Sequence, residues 1–255
     1  MIRRSLFALS TLSALAAVAA PLAAQEVTDG PSAGDVAAYG ALIATPVGAT
    51  VPRLASAMMF GKPSFGVHAD YGQMSEGDLH SRNFVGGVDV PVAGTELSLT
   101  AGWNTPGCPS DADCKGSWLA GARWSARVLG TGSASPMRFA LGLDANLGYA
   151  KPKVAGDEST DYAAWSASVG VPVAVTAKMG NMHIAPYVTP GFGWGRVSAS
   201  YDGGDSQSES GTRFLMGGGV QLAFPMGLDV NAGMQKVFID GGRTVWGGGL
   251  SWHGI

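Results

Sequence analysis

Arg123 and Arg127 stand four residues apart, Arg138 follows a break rich in glycine and serine, and Asp144 lies six residues beyond it. Even separations bring side chains to one face of an extended chain. Asp70, Asp89, Glu96 and Asp229 occupy equivalent alternate positions in neighbouring segments, together with the neutral His68, Asn146, Asn231 and Gln235. Three guanidinium groups and five carboxylates can therefore share one interior. Two kinds of chemistry fit such a set. One is a structural ion-pair network, because an isolated buried charge is very costly. The other is a charged constriction that selects permeating solutes, with Arg123, Arg127 and Arg138 as its cations. Arg123 and Arg138 have Asp144 and Glu96 within plausible reach.

Nucleophilic or metal chemistry has thinner support. Ser75, Asp78 and His80 fall in one polar stretch, and His68 stands beside Asp70. No Gly-x-Ser-x-Gly elbow and no paired-histidine zinc motif is present. Asp111 with Asp113, and Asp202 with Asp205, lack the spacing of a calcium loop. The glycine runs 217–219 and 247–249 are not followed by the Lys-Ser/Thr of a phosphate-binding loop. His183 and His253 read as isolated polar residues. No catalytic activity, cofactor or metal is expected. Cys108 and Cys114 bracket a five-residue stretch without further zinc ligands nearby, and in an exported chain a local disulfide is the default.

The elements that would carry these residues alternate with a period of two. In 118–128 one face holds Trp118, Ala120, Ala122, Trp124, Ala126 and Val128, and the other Leu119, Gly121, Arg123, Ser125 and Arg127. In 137–149 Phe139, Leu141, Leu143 and Leu147 oppose Arg138, Gly142, Asp144 and Asn146. The same pattern recurs from Ser64 to the end of the chain and predicts about ten strands. Many of them reach the roughly 9–11 residues that a tilted membrane strand requires.

Arg3 and Arg4, an apolar run to Ala20 and a small-residue exit at Ala24 make 1–24 a secretory signal peptide. Charged residues are only 14% of the chain and glycines number 39, far from a soluble surface, while a net charge of −3 offers no field for nucleic acid. Short connections such as 92–95, 178–182 and 225–227 alternate with longer acidic ones such as 105–115, 151–161 and 201–211. Short turns at one rim and longer loops at the other suit a membrane barrel, with both chain ends on the turn side. Pro31, Pro46, Pro52 and Pro63 break up 25–63. That stretch reads as a periplasmic lead-in, with a lumen plug or an extra hairpin as the alternatives.

Apolar faces can point inward, as in a soluble barrel, or outward into lipid. The opposite face is mostly Gly, Ser, Ala and Thr, and it lacks the charge density of a solvated surface. Aromatics also recur at matching heights. Tyr71, Trp103, Trp118, Tyr149, Trp165, Trp194 and Trp246 fall near the loop ends, and Trp252 near the turn end. Two such bands are the girdles of a membrane barrel. On these features the stretch from Ser64 to Ile255 resembles the small bacterial outer-membrane β-barrels, OmpA-like and OmpW-like proteins among them. The terminal run Thr244–Ile255 is similar to the strand that the barrel assembly machinery recognises, although it ends in Ile255 instead of an aromatic residue. The expected fold is all-β, an antiparallel up-and-down transmembrane barrel of about ten strands, with eight or twelve as alternatives. The expected setting is the outer membrane of a Gram-negative-type bacterium, reached by the general secretory pathway, with membrane lipid as the surrounding partner. A bore of about ten strands is nearly filled by side chains. The chain therefore reads as a non-enzymatic barrel serving envelope structure or surface interaction. A narrow solute channel and a rim enzyme using His80 are the alternatives, and any small-solute or surface ligand is left open.

Overall fold

The computed structural model describes residues 32–76, 79–105, 116–131, 137–151, 160–201, 206–239 and 242–254. Eleven strand segments follow a short helical region: β1 (Gly66–Glu76), β2 (Leu79–Val92), β3 (Thr95–Thr105), β4 (Ser117–Gly130), β5 (Met137–Ala150), β6 (Thr160–Gly170), β7 (Val173–Met179), β8 (Met182–Tyr201), β9 (Ser206–Ala223), β10 (Leu228–Val237) and β11 (Thr244–His253). Consecutive strands pair antiparallel, except β6 with β7, and β1 pairs with β11, from Gly66↔His253 to Met74↔Val245, which closes the sheet.

β6 and β7 share one position in the barrel. The upper half of β5 pairs with β6 (Asp144↔Gly170) and its lower half with β7 (Leu141↔Val173). Pro172 separates the two because it has no N–H to give the ladder. The Gly142 amide donates instead to the Pro172 carbonyl at 2.8 Å. The circumference is thus ten strands, as the periodicity predicts.

Side-chain alternation decides the inside and the outside. Phe65, Val67, Phe84, Val88, Leu99, Trp103, Trp118, Leu147, Trp165, Val169, Phe192, Trp246, Leu250 and Trp252 are all exposed on the outer face. Asn83, Asp89, Glu96, Ser98, Asp144, Ser166, Thr176, Gln221, Asp229, Asn231 and Ser251 are buried on the inner face. A soluble barrel has the opposite arrangement. Only hydrocarbon outside and a polar interior inside make this distribution stable.

At one rim the connections are tight. Ala93 and Gly94, at φ 48° and 82°, both take the left-handed backbone of a two-residue hairpin turn. A 3₁₀ turn, Pro225–Gly227, links β9 to β10. The other rim carries the longer connections, most of whose residues lie outside the described set.

Inside the barrel run three short helices, α1 (Ala33–Ala44), α2 (Pro46–Ala49) and α3 (Ser56–Phe60). Ser32 caps α1, its hydroxyl accepting from the Asp35 amide while the Asp35 carboxylate accepts from the Ser32 amide. Ala38, Ala41, Leu42, Ala49, Leu54 and Met59 have essentially no exposed surface. The preferred reading of this stretch as a lead-in beneath the barrel does not match the structure, in which residues 32–63 occupy the lumen. The reason is that alanine, glycine and apolar residues free of charge from Val36 to Pro52 can lie against a wall rich in glycine, such as Gly193, Gly195 and Gly211.

Candidate functional site: the plugged lumen

Arg53 is the centre of the interior. It is the sole charged residue between Asp35 and Lys62, and the segment joining α2 to α3 carries it to mid-lumen. Its Nη2 lies 2.8 Å from Asp89 Oδ1 and 3.0 Å from His68 Nδ1. The Asp89 carboxylate pairs with the guanidinium and offsets the cost of its burial. His68 extends the group, with Nε2 3.7 Å from Asp70 Oδ2 and Nδ1 3.4 Å from Asp89 Oδ2.

A second pair joins barrel to plug. Arg123 on β4 donates to Asp144 on β5 at 2.6 Å, and its other terminal nitrogen donates to the Arg53 carbonyl. Glu96 accepts from the Ser56 amide at 3.0 Å and from its hydroxyl, so it caps α3 instead of meeting an arginine. Gln221 receives the Leu54 amide at 3.0 Å and donates to Asp229 at 3.1 Å. His253 Nε2 lies 3.3 Å from Asp229, and Phe60 stands edge-on to the rings of His183 and His253. The two histidines are thus packed against the base of the plug, not isolated.

Of the charges expected to share one network, Asp89, Glu96 and Arg123 contact the plug directly, and Asp144, Asp70 and Asp229 stand behind Arg123, His68 and Gln221. Arg127 and Arg138 pair with none of these carboxylates, although Arg127 lies beside Gly61 at the end of α3. Arg127 lies beyond the level of Asp144 towards the turn rim, at a register shift between Arg127 and Leu129, and donates to the Thr131 carbonyl of its own hairpin at 2.9 Å. Arg138 begins β5 at that rim, opposite Thr176, below the level at which Asp144 meets Arg123. Neither reaches Asp144 or Glu96. Arg53 is the cation that sequence reasoning missed. Five lumen carboxylates facing few cations, and one lone arginine in an uncharged run, were the signal for it.

Around Arg53 a cavity of about 90 Å³ remains, lined among others by His68, Asp70, Arg123, Asp144 and Asn146. It has room for a few water molecules. Among the described residues no group of three or more metal-ligating side chains is close enough to hold an ion. Ser75 and His80 are register partners at the loop end of β1 and β2. Asp78 and the side chains of Ser75 and His80 lie outside the described residues, as do Cys108 and Cys114.

The outer girdle follows the barrel. Phe84 pairs with both Tyr71 and Trp103, Trp103 with Trp118, and Tyr149 with Trp165. Ring centroids are 5.0 Å apart for Tyr71–Phe84, 5.2 Å for Trp118–Tyr149 and 4.4 Å for Tyr149–Trp165. Trp194 and Trp246 continue the band on β8 and β11, both exposed. At the turn rim Trp252 donates its indole N–H to the Met226 carbonyl and Trp124 donates to Thr95, each at 3.0 Å. Rings with one polar edge suit the headgroup level.

A closed ten-strand barrel with an apolar exterior, aromatic bands and an internal polar network defines a transmembrane protein of the outer membrane, surrounded by its lipid. The chain belongs to the outer membrane protein β-barrel domain family, whose model matches residues 91–253. It is similar to the solved structure of Ail, the attachment invasion locus protein of Yersinia pestis, at 13% identity, TM-score 0.39, covering 74% of this chain and 95% of that one. It is also similar to the translocator domain of the autotransporter NalP from Neisseria meningitidis, at 10% identity, TM-score 0.35, covering 77% and 90%. The β domain of the Bordetella autotransporter BrkA matches at 11% identity, TM-score 0.32, covering 74% and 98%. No curated protein matches the chain.

Proposed function

We propose that this is a non-enzymatic outer-membrane protein whose lumen is closed by its own residues 32–63, and that it serves envelope structure or surface interaction. One observation carries the reading: at mid-lumen the barrel's Asp89, Glu96 and Arg123 are engaged by the plug. Asp89 is matched by Arg53, Glu96 by Ser56, and Arg123 by Asp144 and the Arg53 carbonyl. A selective constriction needs charges free to meet a solute. The signal peptide at 1–24 and recognition of the last strand by the assembly machinery belong to the same reading.

Planar-bilayer recording tests it. The purified full chain is expected to give no steady conductance. Steady ion flow whose selectivity changes on Arg127→Glu would establish the narrow channel instead. The rim enzyme is tested with His80→Ala, which is expected to leave every assayed lipid or peptide turnover unchanged.

A further inference from the structure

The plug has a direction. Along β8, which runs from turn rim to loop rim, Phe60 meets His183, Pro52 meets Tyr187, Leu42 lies at Gly193 and Ala38 at Gly195. Along β9, which runs the other way, Gly34 lies at Ser210, Asp35 pairs with Arg213, Pro52 lies at Gly217 and Leu54 at Gln221. Both ladders give one order: the later residues of the plug sit at the turn rim and the earlier ones at the loop rim. Ser210 pairs with Arg196, two residues beyond the girdle residue Trp194 towards the loops. Gly34 therefore stands at or above the outer girdle, and Ser32 before it is exposed.

The expectation that both chain ends lie on the turn side holds for the barrel strands, since Gly66 pairs with His253. The described part of the plug begins at the opposite rim, at Ser32.

We propose that the plug opens on the cell surface: Ser32, where the described chain begins, stands exposed among the long loops, so that the plug presents this end outward. The capping box at Ser32 and the Asp35–Arg213 pair fix that end. The inference rests on the plug's direction and is independent of whether the barrel conducts.

Two epitope insertions test it in cells. One stands between Thr28 and Asp29, the other in the Ala93–Gly94 hairpin at the turn rim. On intact cells an antibody is expected to bind the first, and to reach the second only after the outer membrane is permeabilised. Binding of the first only after permeabilisation overturns the proposal. Heat-modifiable gel migration reports folding of both. Should an insertion abolish it, Ser32→Cys in a Cys108→Ser, Cys114→Ser background replaces the tag. It is expected to react with a membrane-impermeant maleimide on intact cells, and labelling confined to permeabilised cells again overturns the proposal.

Discussion

Arg53 and Asp89 form a fully buried ion pair, 2.8 Å between Nη2 and Oδ1, that joins the plug to the barrel wall across the lumen. A buried pair of this kind is worth little against a well-packed apolar replacement, yet breaking it from one side is severe because the remaining charge is stranded. Its value here lies in position. It fixes which part of the plug meets β2.

That asymmetry gives a first prediction. Arg53→Met is expected to destabilise the folded protein by about 3–5 kcal/mol. Arg53→Met combined with Asp89→Leu should recover most of the loss. Urea unfolding in detergent micelles, followed by heat-modifiable migration, measures the cycle. Additive losses in the double variant would show that the two side chains do not act as a pair.

Removing the plug should expose the interior. A variant lacking residues 34–60 is expected to conduct steadily in planar bilayers. With Arg53 gone, the carboxylates of Asp70, Asp89, Glu96, Asp144 and Asp229 outnumber Arg123 at mid-lumen. Reversal-potential measurements should therefore show preference for cations. Anion preference in a folded variant would contradict the assignment of that interior.

The outer face predicts a depth dependence. Val88 is exposed midway along β2 between the girdle residue Phe84 and the hairpin at Val92. Val88→Arg is expected to cost about 2–4 kcal/mol in lipid vesicles, and Trp103→Arg, at the interface, about 0–1 kcal/mol from the charge itself. Equal costs at both depths would argue against hydrocarbon around Val88.

Tyr149 is placed between Trp118 and Trp165, with centroid distances of 5.2 and 4.4 Å. Each such aromatic contact contributes about 0.5–1.5 kcal/mol beyond area burial. Tyr149→Ala is expected to lower stability in vesicles by about 1–3 kcal/mol through those two contacts. Tyr149→Phe should keep most of it.

For Cys108 and Cys114 the prediction is chemical. Denatured protein from cells is expected to take up two maleimide groups after reduction and none before it. Uptake without reductant would mean that the thiols are free.

Much of the barrel was legible because a strand's period of two is local. Leu119 and Trp118 have opposite fates, 1% exposed and 45% exposed, although they are sequence neighbours and both apolar. Their places in the alternation separate them. Strand length and the position of the breaks likewise placed Tyr149 and Trp165 near the loop ends, where the register pairs them. Arg127 was assigned to the inner face for the same reason. Only the three-dimensional register placed it at the rim, because a shift of pairing after Arg127 and a turn at Thr131 depend on the partner strand.

The sequence by itself therefore determined a closed barrel, the lipid-facing side of each strand and the bands where its aromatics lie. These follow from alternation and composition, which act residue by residue. Tertiary structure alone decided what fills the lumen. Residues 32–63 have no strand period and little charge, and their place depends on contacts such as Arg53–Asp89 and Ser56–Glu96, 36 and 40 residues apart in the chain. The direction in which that segment runs, with Ser32 at the loop rim, was settled by those same long-range partners, because no local preference of a short helix distinguishes one end of a barrel from the other.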